Sequence, residues 1–205
     1  MFDINKFSRN PFGFPYTKDS FILYKNVARQ YKDKEVLAYV NHIIPSKIKE
    51  EIIITISKEN NNDIQFLKPL LDWFKQDYMK WMSSSSSSNK NIKCQNCNMP
   101  LHFRIIKGNS WKLRESEVYE CLNCNSSKII FPRYGEIKRI ADSRIGRCSE
   151  WSMLFGALLN SLYVETRIVQ DYLDHCWNEA LINGKWIHID STFSVSYFSK
   201  SSSLL

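Results

Sequence analysis

No stretch of eighteen or more consecutive apolar residues occurs in the 205-residue chain, which excludes a membrane-spanning helix. Its start, Met1-Phe2-Asp3-Ile4-Asn5-Lys6, lacks the basic-then-apolar order of a secretory leader. The expectation is a soluble intracellular protein, cytoplasmic and extending to the nucleus. A basic helix or stripe is also missing. The formal charge of +7 arises from scattered lysines and reads as a solvated surface, not a nucleic-acid site. What the chain does have is a 43% hydrophobic share, enough for a true core, and six cysteines. In a reducing compartment those cysteines argue against a disulfide framework and for metal ligation or nucleophilic chemistry.

Residues 1–62 carry no interpretable motif, although 19–31 and 46–54 have apolar spacing compatible with short helices. Asn60-Asn61-Asn62 reads as a loop insert, and Asp63 as the cap of a helix. In that helix Phe66, Leu70, Phe74 and Tyr78 recur every four positions, with Leu67, Leu71 and Trp81 widening the stripe. The serine run 83–88 reads as a loop expansion. Residues 137–162 lead into a second helix carrying Trp151, Leu154, Phe155, Leu158 and Leu159. Strands are expected at 166–172, 176–182 and 185–190, the last two joined by the hairpin turn Asn183-Gly184. The division that follows is an N-terminal segment, 1–62, and a core, 63–205, that contains a cysteine module at 94–124.

Cys94-Gln95-Asn96-Cys97 and Cys121-Leu122-Asn123-Cys124 are two C-x-x-C knuckles, twenty-three residues apart. That spacing is close to a four-cysteine zinc ribbon, in which four thiolates close a tetrahedron around one Zn2+ and leave no position for a catalytic water. The ion is expected to be structural. Two disulfides or redox motifs are the competing readings, and neither suits the compartment or a segment without a strand-helix context. His102, between the knuckles, is superfluous as a ligand.

Two cysteines remain. Cys148 opens the second helix after Gly146-Arg147, where the helix N-terminus and the Arg147 charge both favour a thiolate. Taken alone, a buried small hydrophobe explains it as well. The hairpin changes the balance. With Asn183-Gly184 as the turn, His188 faces Glu179, Asp190 faces Trp177 and His175 faces Thr192, so Asp190 is a diagonal neighbour of His175. A Cys148, His175, Asp190 triad results, in which the imidazole takes the thiol proton and the carboxylate orients it. The Cys148 backbone N–H is the natural oxyanion donor. His188 is the rival base, more simply explained as a cross-strand partner of Glu179, and Cys176 is expected to point into inert core.

The words around these residues carry a resemblance. Leu71-Asp72-Trp73-Phe74-Lys75-Gln76-Asp77-Tyr78 with Trp81, the knuckles, Phe131-Pro132-Arg133-Tyr134, Gly146-Arg147-Cys148-Ser149-Glu150-Trp151 and Asp171-Tyr172-Leu173-Asp174-His175-Cys176-Trp177 resemble the cytosolic peptide:N-glycanases of the transglutaminase-like superfamily. The resemblance spans about residues 64–192. It implies an α+β, papain-like core with the zinc ribbon inserted before the catalytic helix, and an amidase that removes N-linked glycans from misfolded glycoproteins through a cysteine thioester. By resemblance, the Trp81 indole is a second oxyanion donor, and Arg167, Trp177, Glu179 and Trp186 match positions important in the family. Packing that holds the hairpin explains those four equally well. Where the family has glycine after the nucleophile this chain has Ser149, and it ends sooner than family members do. A catalytically inactive scaffold that binds glycoprotein or a proteasome-shuttle ubiquitin receptor is the alternative, and acyl transfer between glutamine and lysine is a third reading.

Overall fold

The computed structural model describes residues 18–58, 64–82, 92–171 and 175–193. The expected cap at Asp63 and the serine run lie outside them. Three helices come first: α1 (Lys18–Gln30), α2 (Lys34–Ile43) and α3 (Ser46–Lys58). The first and third match the apolar spacing, whereas α2 was not anticipated. It begins where the Asp33 carboxylate accepts the backbone N–H groups of Glu35 and Val36, at 2.9 and 3.2 Å.

The four-residue stripe then forms one helical run, a 3-10 turn at Ile64–Leu67, α4 (Lys68–Trp73) and a π-helical turn at Phe74–Tyr78. Leu70, Phe74 and Tyr78 are buried as their spacing requires. Trp81 does not continue the stripe. Met79 turns into extended backbone, and Trp81 falls on β1 (Lys80–Trp81), which pairs in parallel with β5 (Ile145–Gly146).

Between these short strands lies the cysteine module. Strands β2 (His102–Ser110), β3 (Leu113–Glu120) and β4 (Lys128–Tyr134) make an antiparallel sheet, so the module continues beyond Cys124 to Tyr134. The chain returns through α5 (Ile137–Ser143), breaks at Arg144 in the left-handed region with φ of 54°, and enters α6 (Cys148–Ser161). A second antiparallel sheet closes the fold, in the order β6 (Thr166–Gln170), β7 (Cys176–Ile182), β8 (Lys185–Ile189). Asn183 and Gly184 both take positive φ, 52° and 75°, as a type I′ hairpin turn needs. Glu179 faces His188 and Asn178 faces Ile189, the register expected from the turn.

Helix α6 is apolar on nearly every side because it is covered on every side, by α2 and α5 and by the β6–β7 strands. Leu154, Phe155, Leu158 and Leu159 have no exposed surface. They share one core with Leu23 and Val27 of α1, Val40 of α2, Leu70 and Phe74; α2 packs directly on the helix that carries Cys148, whereas α3 packs on α4. On the sheet, Cys176, Asn178 and Ala180 face this core, while His175, Trp177 and Glu179 face outward.

Gly156, in the middle of α6, marks a close approach of Tyr31 and β7 to the helix. A Cβ there would stand 2.3 Å from the Tyr31 hydroxyl and 2.7 Å from the Asn178 amide. Helical preference favours alanine over glycine by up to about 1 kcal/mol, but forcing a methyl into this contact costs about 1–3 kcal/mol. Gly156→Ala is therefore expected to lower the unfolding free energy in a urea titration, and a stabilised variant would contradict the contact.

Candidate active site

Each triad member sits at the end of an element. Cys148 is the first residue of α6, His175 immediately precedes β7, and Asp190 immediately follows β8. His175 Nε2 and Asp190 Oδ2 are 2.6 Å apart. Asp190 Oδ1 accepts two further bonds, from the Thr192 backbone N–H at 2.9 Å and its hydroxyl at 2.6 Å. The carboxylate is thus fixed, and it leaves Nδ1 of His175 for the sulfur. The His175 backbone N–H donates to Asp171 Oδ1 at 2.8 Å, anchoring the start of the strand. Rings of Trp177 and Phe193, at centroid distances of 6.0 and 6.1 Å, flank the imidazole.

The Cys148 thiol lies within hydrogen-bond reach of both His175 and Cys176 and is lowered to about 6. The Cys176 thiol is the largest contributor, burial opposes it, and the Cys176 backbone N–H and the His175 charge add to the lowering. His175 is raised from its usual value, because the Asp190 bond and charge and the facing Cys148 outweigh a burial that pulls the other way. The pair therefore favours thiolate and imidazolium together near neutral pH. Thiolate forms as pH rises through about 6, so alkylation of Cys148 by iodoacetamide should climb with a midpoint near 6, well below an ordinary thiol. A midpoint above 8 would remove the thiolate from this picture.

Two expectations need correction. Arg147 does not serve the thiol: its guanidinium turns away and clamps Glu117 of β3 at 2.6 and 2.5 Å, over the Phe131 ring. Nor is Cys176 inert core. It is buried on the inner face, but its sulfur contacts Cys148 on one side and the Tyr24 hydroxyl on the other, 3.2 Å away.

The Arg147 clamp belongs to a buried network that ties the cysteine module to the nucleophile helix. Arg133 of β4 reaches Glu150 at 2.7 Å, Glu117 at 3.2 Å and the Ser149 hydroxyl at 3.0 Å. Arg114 of β3 adds a contact to Glu150 at 3.2 Å, and Glu150 in turn accepts the Arg147 backbone N–H at 3.1 Å. Burial alone would raise Glu150, but Arg133 and Arg114 outweigh it and hold its carboxyl below the usual range. Ser149, a departure from the family glycine, is thus absorbed as a hydrogen-bond partner.

The residues matched by resemblance fall into one neighbourhood on the outward face of the second sheet. Arg167 pairs with Glu179 at 2.5–2.7 Å and lies over the Trp186 ring at 4.1 Å. Trp177 sits between His175 and His188, the latter ring 5.3 Å away, so His188 is a neighbour of Trp177 and the rival base is not aimed at Cys148. The buried Trp177 Nε1 has no hydrogen-bond partner among the described residues. Trp81 is half exposed, 51%, packs its ring on Trp151, and is paired at Gly146, two residues before the nucleophile.

The four knuckle cysteines converge. Their sulfurs lie within 4.8 Å of one another, several at 3.4–3.5 Å. Four ligands about 2.3 Å from one ion would stand roughly 3.8 Å apart, so the donor set suits a tetrahedral thiolate-bound metal. Each knuckle is followed by an asparagine in the left-handed region, Asn98 at 59° and Asn125 at 53°, so both turns close in the same way. His102 is exposed on β2 and takes no part in the cluster.

Residues 108–191 match the family model of the transglutaminase-like superfamily. Those residues form a transglutaminase-like domain. The chain is similar to proteins named peptide-N(4)-(N-acetyl-beta-glucosaminyl)asparagine amidase. That of Caenorhabditis elegans is 32% identical over 178 residues, covering 84% of this chain and 28% of the relative. Those of Yarrowia lipolytica and Saccharomyces cerevisiae are 33% and 32% identical, covering 60% and 65% of this chain and 35% and 38% of theirs. The chain thus spans well under half the length of the relatives it matches. Its fold is α+β, as expected. Among the described residues no helix is long and apolar enough to cross a membrane.

Proposed function

We propose that the chain is a cytoplasmic peptide:N-glycanase core that hydrolyses the side-chain amide of N-glycosylated asparagine in misfolded glycoproteins. The observation that carries this reading is the fixed dyad, His175 and Asp190 at 2.6 Å, beside a Cys148 thiolate on a helix start. Cys148 attacks the amide carbon, and His175 gives a proton to the departing glycosylamine nitrogen as the C–N bond breaks. A thioester remains. His175, now neutral, takes a proton from water, which attacks the thioester carbon to give aspartate and restore the thiol. The Cys148 backbone N–H and the Trp81 indole are the donors assigned to the oxyanion.

The outward face with Arg167, Trp177, Glu179 and Trp186 is the assigned seat for the glycopeptide, since it adjoins His175 and offers aromatic surface and a charged pair. For the four thiolates of Cys94, Cys97, Cys121 and Cys124, the assigned metal is Zn2+, which would hold the module together and supply no open coordination position.

The test is incubation of the zinc-loaded chain with a denatured high-mannose glycoprotein, read by intact mass. Loss of glycan with a gain of about one mass unit at the former asparagine, absent in Cys148→Ala, is the expected result. A folded wild-type chain that leaves the glycoprotein untouched would sink the reading.

A further inference from the structure

The triad uses one cysteine, yet the site holds two. Cys176 opens β7 on its inner face, and the first turns of α6 lie across it: the Ser152 hydroxyl donates to the Cys176 carbonyl at 2.9 Å. Cys148 stands four residues before Ser152, one helical turn away and on the same face of α6. This is why its sulfur meets the Cys176 sulfur. On its far side Cys176 is held by the Tyr24 hydroxyl of α1, 3.2 Å away. Both side chains are therefore positioned by elements of the core.

Their exposures differ in a way that assigns an order of reaction. Cys148 is only partly buried, so a small solute can reach it, whereas Cys176 is 1% exposed. A thiolate in an accessible position is the form that reacts with hydroperoxides. The buried thiol cannot meet the oxidant directly, but it can meet the product formed next to it.

We propose that Cys148 and Cys176 form a peroxide-oxidised dithiol, in which Cys176 resolves the sulfenic acid of Cys148 to a disulfide. In the first step the Cys148 thiolate attacks the terminal oxygen of a hydroperoxide. An S–O bond forms, the O–O bond breaks, and the oxidant leaves as water or an alcohol after taking a proton. In the second, the Cys176 sulfur attacks the Cys148 sulfur. An S–S bond forms, the S–OH bond breaks, and the Cys176 proton leaves with hydroxide as water. The pair has lost two electrons to the peroxide. The disulfide masks the nucleophile, protects it from irreversible sulfinic and sulfonic acids, and returns to two thiols with a reducing dithiol. This rests on a reactive Cys148 and not on the identity of the amide substrate.

The experiment treats the zinc-loaded chain with a slight excess of hydrogen peroxide, alkylates remaining thiols, and maps peptides by mass. The expected product in the wild type is a Cys148–Cys176 linked peptide pair, lighter than the two thiols by about two mass units and abolished by dithiothreitol. In Cys176→Val and Cys176→Ser, each checked for native near-ultraviolet dichroism, Cys148 should instead gain about 32 or 48 mass units and not recover. In Cys148→Ala, Cys176 should stay reduced. The proposal is overturned if wild-type Cys148 is over-oxidised as fast as in the Cys176 variants, if peroxide links only the knuckle cysteines, or if Cys176 oxidises alone in Cys148→Ala. Because the readout is peptide mass, an inactive glycanase with a normal linked pair would count against the amidase reading alone.

Discussion

His175→Ala is expected to lower deglycosylation turnover by about a thousandfold and at the same time to shift the alkylation midpoint of Cys148 upward. Both effects come from one imidazole. As general acid to the leaving nitrogen and then general base to water it accounts for about 10²–10⁴ in rate, and its positive charge is one of the groups that hold the thiol down to about 6. Asp190→Asn separates the two roles. Asp190 accepts the Nε2 proton and leaves Nδ1 open toward sulfur, whereas an amide can donate to Nε2 and drive the proton onto Nδ1, where it faces the thiol. Turnover should again fall by about a thousandfold with the chain fully folded, since Thr192 still caps the side-chain oxygen. Unchanged turnover in His175→Ala would remove the triad altogether.

Removing the metal should act as strongly, and on both stability and turnover. The cysteine module has little apolar interior: Phe103, Ile105, Ile106, Ile129 and Ile130 all lie exposed on its sheet. A structural thiolate-bound ion contributes on the order of 10 kcal/mol to such a unit, so a chelator or Cys97→Ser should unfold β2–β4. Glu117 and Arg133 go with it, leaving the Arg147 guanidinium and the buried Glu150 carboxylate without their ion-pair partners at the start of α6. An orphaned buried charge costs about 3–5 kcal/mol, and Glu117→Ala in the metal-loaded chain should show a loss of that size by denaturant titration. Calorimetry of the chelated chain should show a lower or broadened transition, with deglycosylation lost in parallel. A chelated chain that melts and turns over as before would mean that the module does not support α6.

The parts of this site that could be read in the sequence are those with short-range grammar. Two C-x-x-C knuckles and an Asn183-Gly184 turn are local patterns, and the turn carries the register that brings His175 to Asp190. The failures are of two kinds. In the sequence Trp81 widens the apolar stripe of Phe66, Leu70, Phe74 and Tyr78, but the backbone leaves the helix at Met79, and periodicity holds no record of where it stops. Arg147 was assigned by adjacency to Cys148, yet as the extended residue before the helix it points elsewhere, toward a carboxylate thirty residues back. Tyr24 and Cys176 are 152 positions apart, and Arg133 reaches Glu150 across a sheet-to-helix junction. No spacing rule links such pairs. The start of α2 is different in kind, since Asp33 capping the N–H groups of Glu35 and Val36 is a local signal.

The network between module and helix also sets an order of assembly. A chain made from its N-terminus releases the knuckles and the β2–β4 sheet before Cys148, and Cys148 before the hairpin that carries His175 and Asp190. A nascent chain that has captured its metal therefore offers Glu117 and Arg133 as a ready dock when α6 emerges. Its cysteine stays uncoupled from base and orienter until β8 closes. Among the described elements, chemical competence arrives with the last strand, and a ribosome-bound intermediate would hold a seated but unarmed nucleophile.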